Sequence, residues 1–376
     1  MEQLSQWPLL QLLPLCWAVG RLLLALLPAG EPGGGRIGET WLVQATSLGL
    51  GWLALESEGC FLSWIGVELS PWAQLTPWGL LLVLWWTSLP GRIVPRHAPE
   101  RDPVGLAERW VSRLGLGLCL LAILLRARVD QSTGIPGQAA HVMLESAALI
   151  SVVGTLSVLR TRGWVRALVL LVGGFEILVH EHPLDLNQAA VLCGTAIGLM
   201  GALAWARRGD RRSRVLCALI ALLLCAQGIV GCCAALALAG SLCAGTAPVR
   251  IKQTLAEVTP ALGAAGWILM HDVSPLGTTR IMPILYLVLV LLGLAAIRVA
   301  RQKDRTWGRM GGHEASLLWT QPVILLTCAA LLPLSPPLGL LLLVPGLLGL
   351  TAGLFAPLER SALVPPCPSV NGVRVK

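Results

Sequence analysis

Four glutamates stand within or at the edge of long apolar runs: Glu68 in FLSWIGVELSPW, Glu145 in HVMLESAALI, Glu176 in LVGGFEILVHEH and Glu257 in LAEVTPALG. An ionisable group at bilayer depth costs at least ~2.5 to 3.5 kcal/mol on insertion scales, so it turns toward other helices or water and often marks an ion path. Desolvation and a neighbouring cation move a carboxyl's pKa in opposite directions, and that tunability is what a proton relay needs. Glu68 and Glu176 are flanked by apolar residues on both sides, whereas Glu145 and Glu257 lie nearer an end and can snorkel. For each, a structural ion pair or hydrogen bond between helices is the alternative to a transport role.

Other chemistry-bearing residues are sparser. His141, His180, His182 and His271 titrate near neutrality and suit proton shuttling. His180 and His182 diverge on a helix, so a solvated turn is the plainer reading there. The 11 cysteines form no C-x-x-C pair and no zinc spacing, which makes them small packing residues. Lys252, bracketed by Pro248 and Pro260, is the lysine closest to an apolar core; an interrupted helix or an ordinary loop cation would each account for it. There is no G-x-G-x-x-G after a strand, no P-loop and no cysteine cluster, so neither a cofactor nor a metal is expected. The sequence points to no catalytic residue, no nucleic-acid patch and no soluble small-molecule ligand.

These groups must be positioned by membrane helices. The chain is 55% hydrophobic and only 13% charged, with a mean hydropathy of +0.73, where a soluble domain carries about 25% charged residues. Apolar cores run over 8 to 28, 41 to 56, 60 to 75, 78 to 93, 112 to 126, 140 to 159, 164 to 181, 187 to 206, 214 to 245, 254 to 271, 282 to 299, 317 to 334 and 338 to 357. Lipid cannot hydrogen-bond exposed backbone, so the expected fold is all-α: a polytopic bundle of about 14 spans, within a range of roughly 12 to 14. One transmembrane domain would fill 1 to 360, with a short tail over 361 to 376. An amphipathic joint at about 92 to 111 would lie on the membrane surface.

Charge sets the expected orientation. Of 28 basic residues only Lys252, Lys303 and Lys376 are lysines, and the arginines gather in joints such as Arg160 to Arg166 and Arg207 to Arg214. Basic joints face the cytoplasm. Keeping Arg301 to Arg309 on that side requires the block 214 to 245 to fold back, expected near 231 to 240. Parity then puts both termini in the cytoplasm, and the first apolar run reads as a span rather than a cleaved signal. The expected location is the cell inner membrane.

In order and approximate spacing, these pieces resemble the antiporter-like N, M and L type subunits of respiratory complex I, shared with Mrp antiporters and membrane-bound hydrogenases. FLSWIGVELSPWAQL is similar to the helix with the family's buried glutamate, which would be Glu68. LLVGGFEILVHEHPLDLN is similar to the segment of a key lysine, with Glu176 standing in its place. GLMGALAWARRGDRRSRVLCALIALLLCAQGIVG is similar to a helix-loop-helix bearing an Asp-Leu-Lys-Arg motif, which puts Asp210 on the Asp and Arg212 on the Lys. VRIKQTLAEVTPALGAAG is similar to the helix with a central lysine, here Lys252. Arginine does not release its proton in a protein, so Arg212 could polarise a neighbour but not relay.

The resemblance implies a proton- or cation-translocating subunit of a respiratory or hydrogenase-type complex, itself non-catalytic within an NADH:quinone oxidoreductase-like assembly. Its path would use Glu68, Glu176, Arg212 and Lys252, with Asp210 and Glu145. At ~4 Å and an effective dielectric of ~20 such pairs interact by about 4 kcal/mol, enough to move a pKa by roughly three units. Its partners would be the bilayer and other membrane subunits. Two further readings stand: a non-conducting structural subunit, and a membrane-embedded transferase for a lipid-linked substrate using Glu31, Glu39 or the His180 to Asp185 turn.

Overall fold

The structure, a computed structural model, describes residues 9–27, 40–67, 76–81, 83, 106–133, 138–159, 161, 163–179, 185–209, 211–246, 250–271, 312–332 and parts of 338–348. Every extended element among them is helical. The helices are α1 (Leu9–Leu26), α2 (Thr40–Trp64), α3 (Leu106–Thr133), α4 (Gln138–Val158), α5 (Gly163–Val179), α6 (Leu186–Arg208), α7 (Arg211–Leu224), α8 (Gly228–Ala244), α9 (Ile251–His271) and α10 (Gly312–Leu331). Four stretches of the described chain are long and apolar enough to cross a membrane: Ala107–Asp130, Gln138–Val158, Leu186–Ala206 and Arg211–Ala244.

Local chemistry sets the helix ends. At the start of α6 the Asp185 N–H donates to Gln188 Oε1 at 3.3 Å, and at its end the Gly209 N–H donates to Trp205 O at 2.7 Å. The first amides of α4 are capped from the preceding helix: Gln138 N–H and Ala139 N–H donate to the Asp130 carboxylate at 3.3 and 3.0 Å. Such a cap satisfies donors that a helix N-terminus leaves open. α2 closes with Gly66 at φ 76°, as Gly66 N–H bonds Ser63 O and Val67 N–H bonds Leu62 O. This double return is a Schellman ending, and its left-handed residue is usually glycine.

The core is built on close helix contact. A Cβ on Gly20 would overlap Ser47 O, and one on Gly51 would overlap Cys16 O, so α1 and α2 cross backbone to backbone. α6 lies at the centre, with α4 and α2 against it on one side and α7, α8 and α10 on the other. α3 and α5 pair outside α4 and present Leu114, Leu124, Leu125, Val172, Phe175 and Val179 outward.

The chain folds back inside the block Arg211–Ala244. As one straight helix its 34 residues would extend about 51 Å, well beyond a ~30 Å hydrocarbon layer. α7 runs antiparallel to α6, since Ser213 and Cys217 face Gly201 while Leu224 faces Gly194. α8 runs parallel to α6, since Leu238 faces Gly198 and Trp205 Nε1 donates to Thr246 Oγ1 at 2.8 Å. The reversal is a 3-10 turn, Cys225–Gln227, followed by Gly228 at φ 71° and ψ −157°. Residues 231 to 240, where the charge pattern put the turn, are continuous helix within α8.

Two further expectations change. The break between spans 41 to 56 and 60 to 75 is absent, because α2 runs unbroken through Ser57, Glu58 and Gly59. Most of its polar groups there are bonded: Ser57 Oγ donates to Leu53 O at 2.6 Å, Trp52 Nε1 to Glu56, and Trp78 Nε1 to Glu58 Oε2, while Glu58 Oε1 is buried without a partner. The parity count therefore fails at α2, and fourteen spans with both termini on the arginine side are not supported. α1 shows this directly: its last turn lies at the arginine end, where Arg212 Nη2 donates to Leu24 O at 2.8 Å, so it approaches from the opposite end. Of the expected surface joint, residues 106 to 111 are the first turns of α3. Residues 92 to 105, the span at 282 to 299 and the tail at 361 to 376 lie outside the described residues.

Of the six exposed tryptophans among the described residues, five mark two levels, and Trp17 on α1 lies between them, level with the middle of α2. Trp41, Trp110 and Trp164 begin α2, α3 and α5 at the arginine end, while Trp64 and Trp267 lie near the far ends of α2 and α9. Along α2, Trp41 and Trp64 are about 34 Å apart at 1.5 Å per residue. That separation suits aromatic belts at the two faces of a hydrocarbon layer.

Candidate functional site

The most enclosed carboxyl among the described residues is Glu56, 6% exposed on α2. It lies about 12 Å from Trp64 along the helix, well inside the aromatic belt. One turn earlier, Trp52 Nε1 donates to Glu56 Oε2 at 2.8 Å. Against the carboxyl sits Gln227, 4% exposed, whose amide nitrogen and oxygen make no hydrogen bond of normal geometry. Gln227 is the last residue of the 3-10 turn, so the acid meets the chain where a helix is interrupted.

That turn frees carbonyls which α2 and α8 then cover. Ser57 Oγ, 2.6 Å from Leu53 O, is also 3.0 Å from Leu223 O and shares its proton between them. Cys60 Sγ donates to Ala226 O at 3.6 Å, and Cys232 Sγ to Cys225 O at 3.7 Å. Cys225 Sγ reaches Ala261 O on α9 at 3.5 Å. Buried backbone carbonyls need such partners, and spacing along α2 brings Glu56, Ser57 and Cys60 to the turn together.

A second cluster lies at the end of the bundle opposite Arg212, Arg214 and Arg250. His141 Nε2 is 3.6 Å from Glu145 Oε1 on α4. Glu176 on α5 and Arg126 on α3 lie within Coulombic reach of Glu145.

A third cluster locks the arginine end. Arg214, 3% exposed, donates through Nε and Nη2 to the two oxygens of Glu257, both at 2.7 Å. Its guanidinium lies 4.7 Å from the Trp205 ring centroid, and Arg250 lies 5.6 Å from the same ring. Arg250 Nη1 also donates to Gly209 O at 3.5 Å.

The expected row of path residues is not assembled among those described. Arg212 is half-buried at the start of α7 on the Leu24 carbonyl, and Lys252 is exposed near the start of α9, both at the arginine end. Glu145 is half-buried and Glu176 exposed, both toward the opposite end. Glu68 and Asp210 lie outside the described residues. Glu257 has the structural role, as an ion-pair partner. Sequence reasoning passed over Glu56 because it closes an apolar core at residue 56 and so read as a boundary. The available signal was Trp52 one helical turn before it.

No protein-family model, curated protein or solved structure matches this chain. What the fold and its buried groups define is a class: a chain whose described residues form helices, four stretches of them able to cross a membrane, with a carboxyl enclosed at an interrupted helix. Among the described residues no group of three or more His, Cys, Asp and Glu side chains could hold a metal ion.

Proposed function

We propose that this chain is a proton- or cation-translocating multi-pass subunit of the cell inner membrane, working beside other membrane subunits, and that Glu56 rather than Glu68 is its exchange station. The observation that carries this reading is the burial of the Glu56 carboxyl against the turn between α7 and α8. Interrupted helices at bilayer depth are where transporters bind ions, and a carboxyl there is a functional group by default. The Glu145, His141 and Glu176 cluster supplies titratable groups toward one end. The motif order that resembles antiporter-like complex I subunits supports a redox-driven assembly as the setting.

The test is ion flux in liposomes containing the full chain under an imposed voltage. Glu56→Gln keeps the side chain's size and removes its proton exchange. Loss of flux supports the reading, and flux equal to that of the unaltered chain eliminates it.

A second reading, a non-conducting structural subunit, is favoured by the Arg214 and Glu257 pair. Those charges saturate each other and join α7 to α9, as packing groups do.

A further inference from the structure

The surroundings of Glu56 bear on which ion the station takes, an inference that rests on the translocation reading above. A hard cation collects roughly six oxygen ligands. In an interrupted helix, free carbonyls supply many of them. Here the carbonyls of Leu223, Cys225 and Ala226 already accept from Ser57, Cys232 and Cys60. Beside these covered carbonyls lie two buried polar side chains, the Glu56 carboxyl and the Gln227 amide, and the amide makes no hydrogen bond to any other group.

An amide provides both a donor and an acceptor. It can therefore accept from a protonated carboxyl and donate to an ionised one. Trp52 Nε1, already on Glu56 Oε2, serves either state.

We propose that the ion exchanged here is the proton, carried on Glu56 and steered by the Gln227 amide, an acid–amide pair where an acid and a base would be the familiar arrangement. In the loaded state the Glu56 O–H donates to Gln227 Oε1. On release the O–H bond breaks and the proton passes to a water molecule, forming hydronium. The carboxylate left behind accepts from Gln227 Nε2 and Trp52 Nε1. Hydronium from the other side then returns a proton to Glu56 and leaves as water.

Liposomes holding the full chain would be loaded with a pH-sensitive dye, and isotopic sodium and rubidium uptake followed in parallel. The unaltered chain should acidify the lumen under voltage without sodium or rubidium uptake. Gln227→Leu should slow acidification about tenfold, the scale of one lost buried hydrogen bond, and Gln227→Asn should restore part of it. Independently of flux, infrared spectra should show a carboxylic-acid C=O band that is absent in Glu56→Gln and shifted in Gln227→Leu. Sodium or rubidium uptake that requires Glu56 would overturn the proton assignment and leave the translocation reading standing. No Glu56-dependent flux of any of the three ions would overturn both. Acidification at the unaltered rate in Gln227→Leu, with the infrared band unmoved, would remove the amide from the pair.

Discussion

Arg214 and Glu257 form a two-pronged ion pair, with both nitrogen–oxygen distances at 2.7 Å, while the same guanidinium stacks 4.7 Å above the Trp205 ring. Three helices meet in that contact: α6 through Trp205, α7 through Arg214 and α9 through Glu257. Planar, delocalised and permanently charged, arginine can hold a carboxylate and an aromatic face together.

Removing one partner leaves the other charge enclosed. Glu257→Leu is expected to destabilise the bundle by about 3 kcal/mol, the scale seen when one half of a buried pair is lost. Arg214→Lys should also weaken it, because an ammonium cannot make both contacts and the stack. Thermal unfolding in detergent measures both, and an unchanged midpoint in Glu257→Leu would show that the pair contributes nothing.

Trp52 is the donor that holds Glu56. Trp52→Phe keeps most of the packing and deletes the N–H, for an expected loss of about 1 to 2 kcal/mol. If the enclosed acid is replaced as well, in Trp52→Phe with Glu56→Leu, the orphaned oxygen disappears and part of the loss should return. A double-mutant cycle in a denaturant titration reads the coupling, and strictly additive losses would show the contact to be idle.

Gly228 takes φ 71° and ψ −157°, a region essentially reserved for glycine. Gly228→Ala is expected to cost about 1 to 3 kcal/mol through backbone strain alone, since open space surrounds the position of the added Cβ. Gly263→Ala, in equally open space but in regular helix, serves as the control and should be neutral or slightly stabilising. Parallel melting curves compare them, and equal midpoints would mean the turn relaxes without strain.

The translocation reading requires α2, with Trp41 and Trp64 at its two ends, to cross the bilayer. Cysteines placed at Trp41 and Trp64 should react with a membrane-impermeant maleimide from opposite faces of sealed vesicles. Labelling of both from the same face would mean that α2 does not span.

Helical character was legible in the sequence and follows from local rules, as does the gathering of Arg207 to Arg214 at a joint between helices; Arg126 and Arg128, near the other end of the bundle, do not follow it. Apolar runs in lipid have no other way to satisfy their backbone, and arginines near Arg212 and Arg250 collect at chain joints whatever the fold. The turn in Arg211–Ala244 was legible as a need but not as a place. Gly228 permits the turn but is one of 41 glycines, so the sequence does not single it out, and the contacts of Ser57 and Cys60 with the turn come from α2, far away in the chain.

The sequence alone determined that this is a chain of apolar helices with a few ionisable groups embedded among them, because hydropathy and charge act residue by residue. Only the tertiary structure decided which of those groups matter together. It showed Glu257 neutralised by Arg214, Glu176 turned outward and Glu56 enclosed against Gln227. Whether a buried carboxyl is bonded, solvated or left facing an amide depends on contacts between residues as distant in sequence as 56 and 227, and no periodicity or local spacing encodes those.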